Sequence, residues 1–221
     1  MKRVMILLNA VLAAAVCVGN YLLLSPDGGA TKAFCSACLA ALGCANTLYV
    51  LLRGGRKGFA LMMAAGLLLA MAGDLAIGRS FVLGAALFAA GHICFGLAGC
   101  LLYKPGWMDG ACAALIFVPA AAYMVLSKAL AFRPAYLQWV CVGYALIIAL
   151  MSGKLLGNFW RSPGLLAGIL LAGSLLFCFS DFMLMMGRFS RYDGAFGTLC
   201  MAFYYPAEIL LAHSVFHSAD A

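Results

Sequence analysis

Acidic residues are scarce in this chain: seven Asp and Glu in 221 residues, against fourteen Lys and Arg. Charged residues of both signs make up only 10% of it, while hydrophobic residues make up 67%. A soluble fold needs a charged surface and cannot bury that share of apolar side chains, so a soluble protein is excluded. The chain has no long polar stretch that could form a separate soluble domain. Its formal net charge is +7, yet aromatic and basic residues do not alternate and no nucleic-acid motif occurs, so nucleic acid is not an expected partner. The basic residues lie in short segments between apolar runs, where they suit anionic headgroups and topology signals.

There is also no disulfide framework. Most of the ten cysteines fall inside apolar runs, where cysteine acts as a small packing residue. Cys35 and Cys38, in CSAC, have metal-ligand spacing, but no second pair matches them. One turn of a lipid-embedded helix is the simpler reading, and neither a metal nor a cofactor is expected. The start, MKRVMILLNAVLAAAVCVGNYLLL, has a basic head, but its apolar run is too long for a signal peptide and no cleavage site follows. It reads as a first spanning helix.

What the chain does contain is a series of apolar runs long enough to cross a bilayer. Eight spans are predicted, at 4–24, 32–52, 58–77, 80–103, 109–127, 134–152, 163–186 and 194–216. Breakers separate them: SPDGG, RGGRK, GRS, KPGWMDG, FRP, GKLLGNFWRSPG and GRFSRYDG. The fold class is therefore all-α, a polytopic helical bundle forming a single integral membrane domain over 1–221. With the N-terminus inside, Lys2, Arg3, Arg53, Arg56, Lys57, Lys104, Lys154 and Arg161 lie inside, and Lys32, Arg79, Lys128, Arg133, Arg188 and Arg191 outside. Eight against six favours that orientation. The compact chain suits a prokaryotic cytoplasmic membrane.

Ionisable groups within spans are costly and usually face a protein interior or a watery cavity. Asp74 ends the third span and Asp181 the seventh, and each is followed shortly by Gly-Arg, at Arg79 and Arg188. Four helices separate the aspartates, so they sit at the same depth, which suggests two parallel four-helix repeats. For Asp74 the plain reading is a pair with Arg79, and the sharper one a carboxylate facing Asp181, one of the two holding a proton. Asp181 shares a helix face with Ser174 and Arg188. His92 stands mid-span, with Tyr103 returning to its face. Tyr204 and Tyr205 precede Glu208 by one turn, and Pro206 would kink that span. Asn9, Asn20, Asn46 and His213 are further polar residues in apolar surroundings. The methionines at 183, 185 and 186 read as lipid-facing or gap-filling. Gly66 with Gly73, and Gly84 with Gly91, have spacing for close helix packing.

The ordered set GD (Gly73, Asp74), GHICF (91–95), SDFMLMMGRF (180–189) and FYYPAEILLAHS (203–214) resembles the YhhN family, with Lys32 in TKAF and the segment 144–151 agreeing more weakly. The chain departs from that pattern where Glu208 replaces a usual Gln, where Pro206 stands, and where Ala33 replaces a Pro. The resemblance implies an eight-span lysoplasmalogenase: hydrolysis of the vinyl-ether bond of an alkenyl lysophospholipid, giving a fatty aldehyde and a glycerophospho-headgroup. Its partners would be that lysolipid, water and the bilayer. Vinyl ethers are cleaved by protonation at carbon, so the reaction needs an acid, an anion beside the oxocarbenium ion and a base for water. Glycosidases meet similar demands with two carboxylates. Asp74 and Asp181 are the expected catalytic pair. Lys32 and Arg188 are placed to hold the phosphate, with Asn20, His92, Tyr204, Tyr205 and Glu208 in support. Two other readings suit intramembrane Asp, Glu and His: a proton-coupled transporter, and a hydrolase of a different lysolipid. Oligomeric state leaves no signature.

Overall fold

The computed structural model describes residues 1–23 and 31–219. The SPDGG breaker and the end of the first predicted span lie outside those residues. Among the described residues there are eight helices: α1 Lys2–Leu23, α2 Thr31–Arg53, α3 Lys57–Ile77, α4 Phe81–Leu102, α5 Trp107–Leu126, α6 Tyr136–Arg161, α7 Leu165–Phe189 and α8 Phe196–His217. All eight are long and apolar enough to span a membrane. In lipid the backbone must satisfy its own hydrogen bonds, so each apolar run becomes a helix and the breakers become its ends. Ser80, in the GRS breaker, caps α4 by accepting from the Leu83 N–H at 3.3 Å.

One breaker is not a loop. GKLLGNFWRSPG is helical up to Arg161, so α6 runs nine residues past its predicted end. Its polar residues point inward. Lys154 is buried and donates to Asp109 Oδ2 at 3.0 Å. Asn158 donates to the Gly99 carbonyl at 2.8 Å. Arg161 pairs with Asp109 as well. A Cβ at Gly153 would collide with the backbone of Ala113, so the glycine lets α6 lie directly on α5. Lys154 therefore belongs to a helix interior and not to a connection between spans. Helix α8 likewise continues through Pro206, so the interrupted span that a carrier would display is absent from the described residues.

The packing repeats. Helix α3 lies along α4 and α7 along α8; α2 meets α8, and its counterpart α6 meets α4. Gly66 and Gly173 each stand eight residues before an aspartate, and each receives a large side chain from the following helix, Phe95 and Leu211 respectively. At Gly91 a Cβ would lie 3.1 Å from the Gly66 carbonyl, which explains the small residues on both faces. The correspondence fails at α5, whose backbone packs closely on α6 alone and which reaches α7 through the Tyr123 side chain, whereas α1 packs on both α2 and α8. That asymmetry leaves space between α5 and α7.

Two further devices fix the bundle. Asn9 and Asn46 exchange amide hydrogen bonds at 2.7 and 2.9 Å, and Asn46 also donates to the Ala212 carbonyl at 2.9 Å, joining α1, α2 and α8. At the opposite end the α5–α6 and α7–α8 connections are strapped together: Ala131 N–H donates to Phe189 O and Arg191 N–H to Ala129 O, both at 2.8 Å. Phe132 and Phe81 pack on Phe189 beneath the strap. Met183, Met185 and Met186 are buried and fill the core beside it.

Candidate active site

Each aspartate is held by the helix before its own and by one helix of the other half. Asp74, on α3, is buried. Its Oδ1 lies 2.8 Å from Lys32 Nζ, and its Oδ2 accepts from Ser36 Oγ at 2.5 Å, both on α2. Tyr205, on α8, donates to the same Oδ2 at 3.4 Å. Arg79, the partner expected from sequence proximity, is exposed and does not reach it. The carboxylate instead has a cation at the start of the neighbouring helix, which offsets the charge inside the bundle.

Asp181, on α7, has no lysine or arginine paired with it among the described residues. Tyr144 on α6 donates to its Oδ2 at 2.6 Å. His92 Nε2 on α4 lies 3.0 Å from that Oδ2 and 2.9 Å from the Tyr144 oxygen. The only hydroxyl proton of Tyr144 is committed to Asp181, so Nε2 carries the proton that completes the triangle. Asp181 Oδ1 makes no hydrogen bond among the described residues. Tyr103 plays no part in this cluster, and the residue on the His92 face is Tyr144. Arg188 does not neutralise Asp181; it is exposed at the loop end of α7.

The two carboxylates are not hydrogen-bonded to each other among the described residues. A chain of rings runs between their partners. His92 meets Phe177 edge-on with centroids 4.6 Å apart, Phe177 meets Tyr204 at 5.4 Å, and Tyr204 meets Tyr205 at 5.0 Å. Beside this chain lies Glu208, wholly buried, with neither oxygen within hydrogen-bond geometry of a partner among the described residues. The same holds for the buried Tyr204 hydroxyl and His92 Nδ1. Asn20 is buried near the same end of the bundle with its Oδ1 unpartnered among the described residues, and it hydrogen-bonds to neither aspartate.

Asp181 and Tyr144 form part of the wall of a cavity of about 500 Å³ between α4, α5, α6 and α7. This is the space left by the position of α5. The rest of its lining is largely apolar, including Phe88, Pro119, Ile148 and Phe179. Asp74 does not line it. A second cavity, also about 500 Å³, opens at the loop end of α7 and is polar; Arg79, Arg188 and Asp193 line it. Phe81 and Leu184 belong to both walls, so the two spaces adjoin. Leu184 is three residues beyond Asp181 on α7.

Sequence reasoning singled out Asp74, Asp181, His92, Tyr205 and Lys32, and these are the groups hydrogen-bonded in the two clusters. It did not single out Ser36 or assign Tyr144 a role. Tyr144 carries a signal, a hydroxyl-bearing ring in the apolar middle stretch of α6, but α6 alone does not show which helix it faces. Arg79 and Arg188 fall together at the polar cavity, whereas Lys32 is occupied by Asp74.

An eight-helix membrane protein with a buried carboxylate–imidazole–phenol cluster at the side of an apolar cavity is the class defined by fold and site. A sequence model of the YhhN family matches residues 28–215, nearly the whole chain, and the protein belongs to that family. The family is associated with hydrolase activity. The chain has no match among curated proteins or solved structures.

Proposed function

We propose that the protein is a lysoplasmalogenase-type hydrolase that cleaves the vinyl-ether bond of an alkenyl lysophospholipid, with Asp181 as the proton-handling group. The observation that carries this reading is the free Oδ1 of Asp181 in the wall of an apolar cavity that adjoins a polar one. A single-chain amphiphile has the matching shape, with its tail among α4–α7, its head at the loop end and the bond between them beside Asp181.

The chemistry balances without an added redox agent. A proton passes from Asp181 to the alkene carbon remote from oxygen, and the adjacent carbon becomes an oxocarbenium ion. The Asp181 carboxylate then stands beside that cation. Water adds to it and gives up a proton to the carboxylate, and the hemiacetal collapses to aldehyde and alcohol. Acid and base are thus restored in one turnover. His92 and Tyr144 both donate to Oδ2, so they hold the carboxyl in one orientation and leave Oδ1 as the oxygen that exchanges the proton. Asp74 contributes a second fixed negative charge, oriented by Ser36 and Tyr205 and linked to the first site through the ring chain. No hydrogen bond to the reacting centre is assigned to it.

The test is turnover by purified protein in nonionic detergent, with no sealed vesicle or gradient. Aldehyde release from the alkenyl lysolipid, and none from its alkyl-ether or ester counterparts, is the expected result. Uptake into vesicles with no aldehyde formed would favour a carrier, and release from the ester alone would favour a different lysolipid hydrolase.

A further inference from the structure

We infer that the polar cavity at the loop end of α7 is a binding site for a zwitterionic phosphate headgroup, with Arg79 and Arg188 as the phosphate ligands and Asp193 as the partner of the ammonium group. The inference rests on the lysolipid reading of the neighbouring apolar cavity and assigns the residues that read the other half of the molecule.

Three observations support it. Arg79 and Arg188 come from different connections, after α3 and at the end of α7, yet line one cavity of about 500 Å³. Two arginines line one space without a structural reason, since neither forms an ion pair among the described residues. Asp193 lines the same cavity and is also outside the ion pairs, although a carboxylate beside two arginines would ordinarily be drawn into one. Two cations and one anion facing a shared space, none of them paired, have the charge pattern of a phosphate ester carrying an amine. Arginine presents forked donors that match phosphate oxygens, and the exposed ring of Tyr192, in the same lining, offers a face to the ammonium.

The alternative cation, Lys32, lies 2.8 Å from Asp74 and lines neither cavity. Phe81 and Leu184 line both cavities, so the head space lies beside the tail space, one turn of α7 from Asp181. Arg79 and Arg188 also sit at the membrane surface, where the headgroup of an embedded lipid lies.

Binding separates this site from the chemistry. Titration calorimetry in nonionic detergent would compare a nonhydrolysable alkyl-ether lysophosphoethanolamine, its counterpart with a bare phosphate head, the headless alkylglycerol and sodium phosphate. The wild type is expected to bind the phosphoethanolamine lipid about tenfold to a hundredfold more tightly than alkylglycerol, the range of charged hydrogen bonds. Arg79→Ala/Arg188→Ala is expected to bring the two to the same affinity, and Arg79→Lys/Arg188→Lys to restore part of the difference. Asp193→Asn is expected to weaken the phosphoethanolamine lipid while leaving the bare-phosphate lipid equal or tighter. All these positions are exposed, so thermal unfolding should be unchanged. Unaltered lipid affinity in the double alanine variant would overturn the phosphate assignment. An equal effect of Asp193→Asn on both heads would overturn the ammonium assignment. Sodium phosphate binding as tightly as the lipid would assign the site to free phosphate instead. Intact headgroup discrimination without aldehyde release would retain this site and remove the vinyl-ether reading, whereas aldehyde release that ignores the arginines would do the reverse.

Discussion

Asp74 and Asp181 occupy corresponding places in the two halves, yet their surroundings differ in kind. Asp74 is locked by a lysine, a serine and a tyrosine and lines neither cavity. Asp181 has only neutral hydrogen-bonding partners or groups whose charge can change, and one oxygen is left open to an apolar space. Both oxygens of Asp74 are occupied, Oδ1 by Lys32 and Oδ2 by Ser36 and Tyr205, so neither is free to meet a substrate. Asp181 uses Oδ2 alone for its partners and keeps Oδ1 free to do so. Under the proposed chemistry the duplicated device does different work in each half, and the position of α5 is what distinguishes their surroundings.

The comparison can be broken most decisively by exchanging each carboxylate for its amide. Asp181→Asn should lower kcat for aldehyde release by about 10²–10⁴-fold, the usual contribution of a positioned acid or base, with thermal unfolding little changed. Asp74→Asn should act the other way, lowering stability by about 1–2 kcal/mol; the effect is modest because Lys32 is 30% exposed and can turn to water. If Asp74→Asn removes turnover while the protein remains as stable as wild type, the two sites are catalytically equivalent and the division of labour fails.

A smaller effect should follow from Tyr144→Phe. It removes one charged hydrogen bond from Asp181 and should cost about tenfold to a hundredfold in kcat. Its counterpart, Tyr205→Phe at Asp74, should change kcat by less than about threefold, because that bond is long at 3.4 Å. Equal losses at both tyrosines would erase the contrast.

Smaller still is the combined change Lys32→Met/Asp74→Leu. Replacing both members of this pair, of which Asp74 is buried and Lys32 partly exposed, with apolar residues should leave unfolding within about 1 kcal/mol of wild type, whereas either change alone destabilises. The least effect is expected at Glu208→Gln, which keeps shape and hydrogen-bonding capacity but removes the proton. Turnover within about threefold of wild type would leave Glu208 as a neutral packing partner of the ring chain. A loss beyond about tenfold would make it a proton carrier between the halves.

The eight spans and the residues that are costly inside them were legible in the sequence, because hydropathy and lipid impose the same rule on every helix. The exception was the end of α6, where Gly153, Lys154, Gly157 and Asn158 look like a loop in one dimension. They face α4 and α5, where Asp109, the Gly99 carbonyl and a close backbone accept them. The candidate site was half legible: Asp181 and His92 stand out by type. Tyr144 does not, because a tyrosine in a span can equally face lipid, and only the neighbouring helix decides.

By itself, the sequence determined the membrane class, the eight helices and the identity of the few polar groups that must be compensated, since each follows from local composition and the cost of polarity in lipid. Tertiary structure alone decided the partners: Lys32 and not Arg79 for Asp74, His92 with Tyr144 for Asp181, and Arg79 beside Arg188. Those choices depend on which helix faces are brought together, and contacts between residues dozens of positions apart leave no period in the chain.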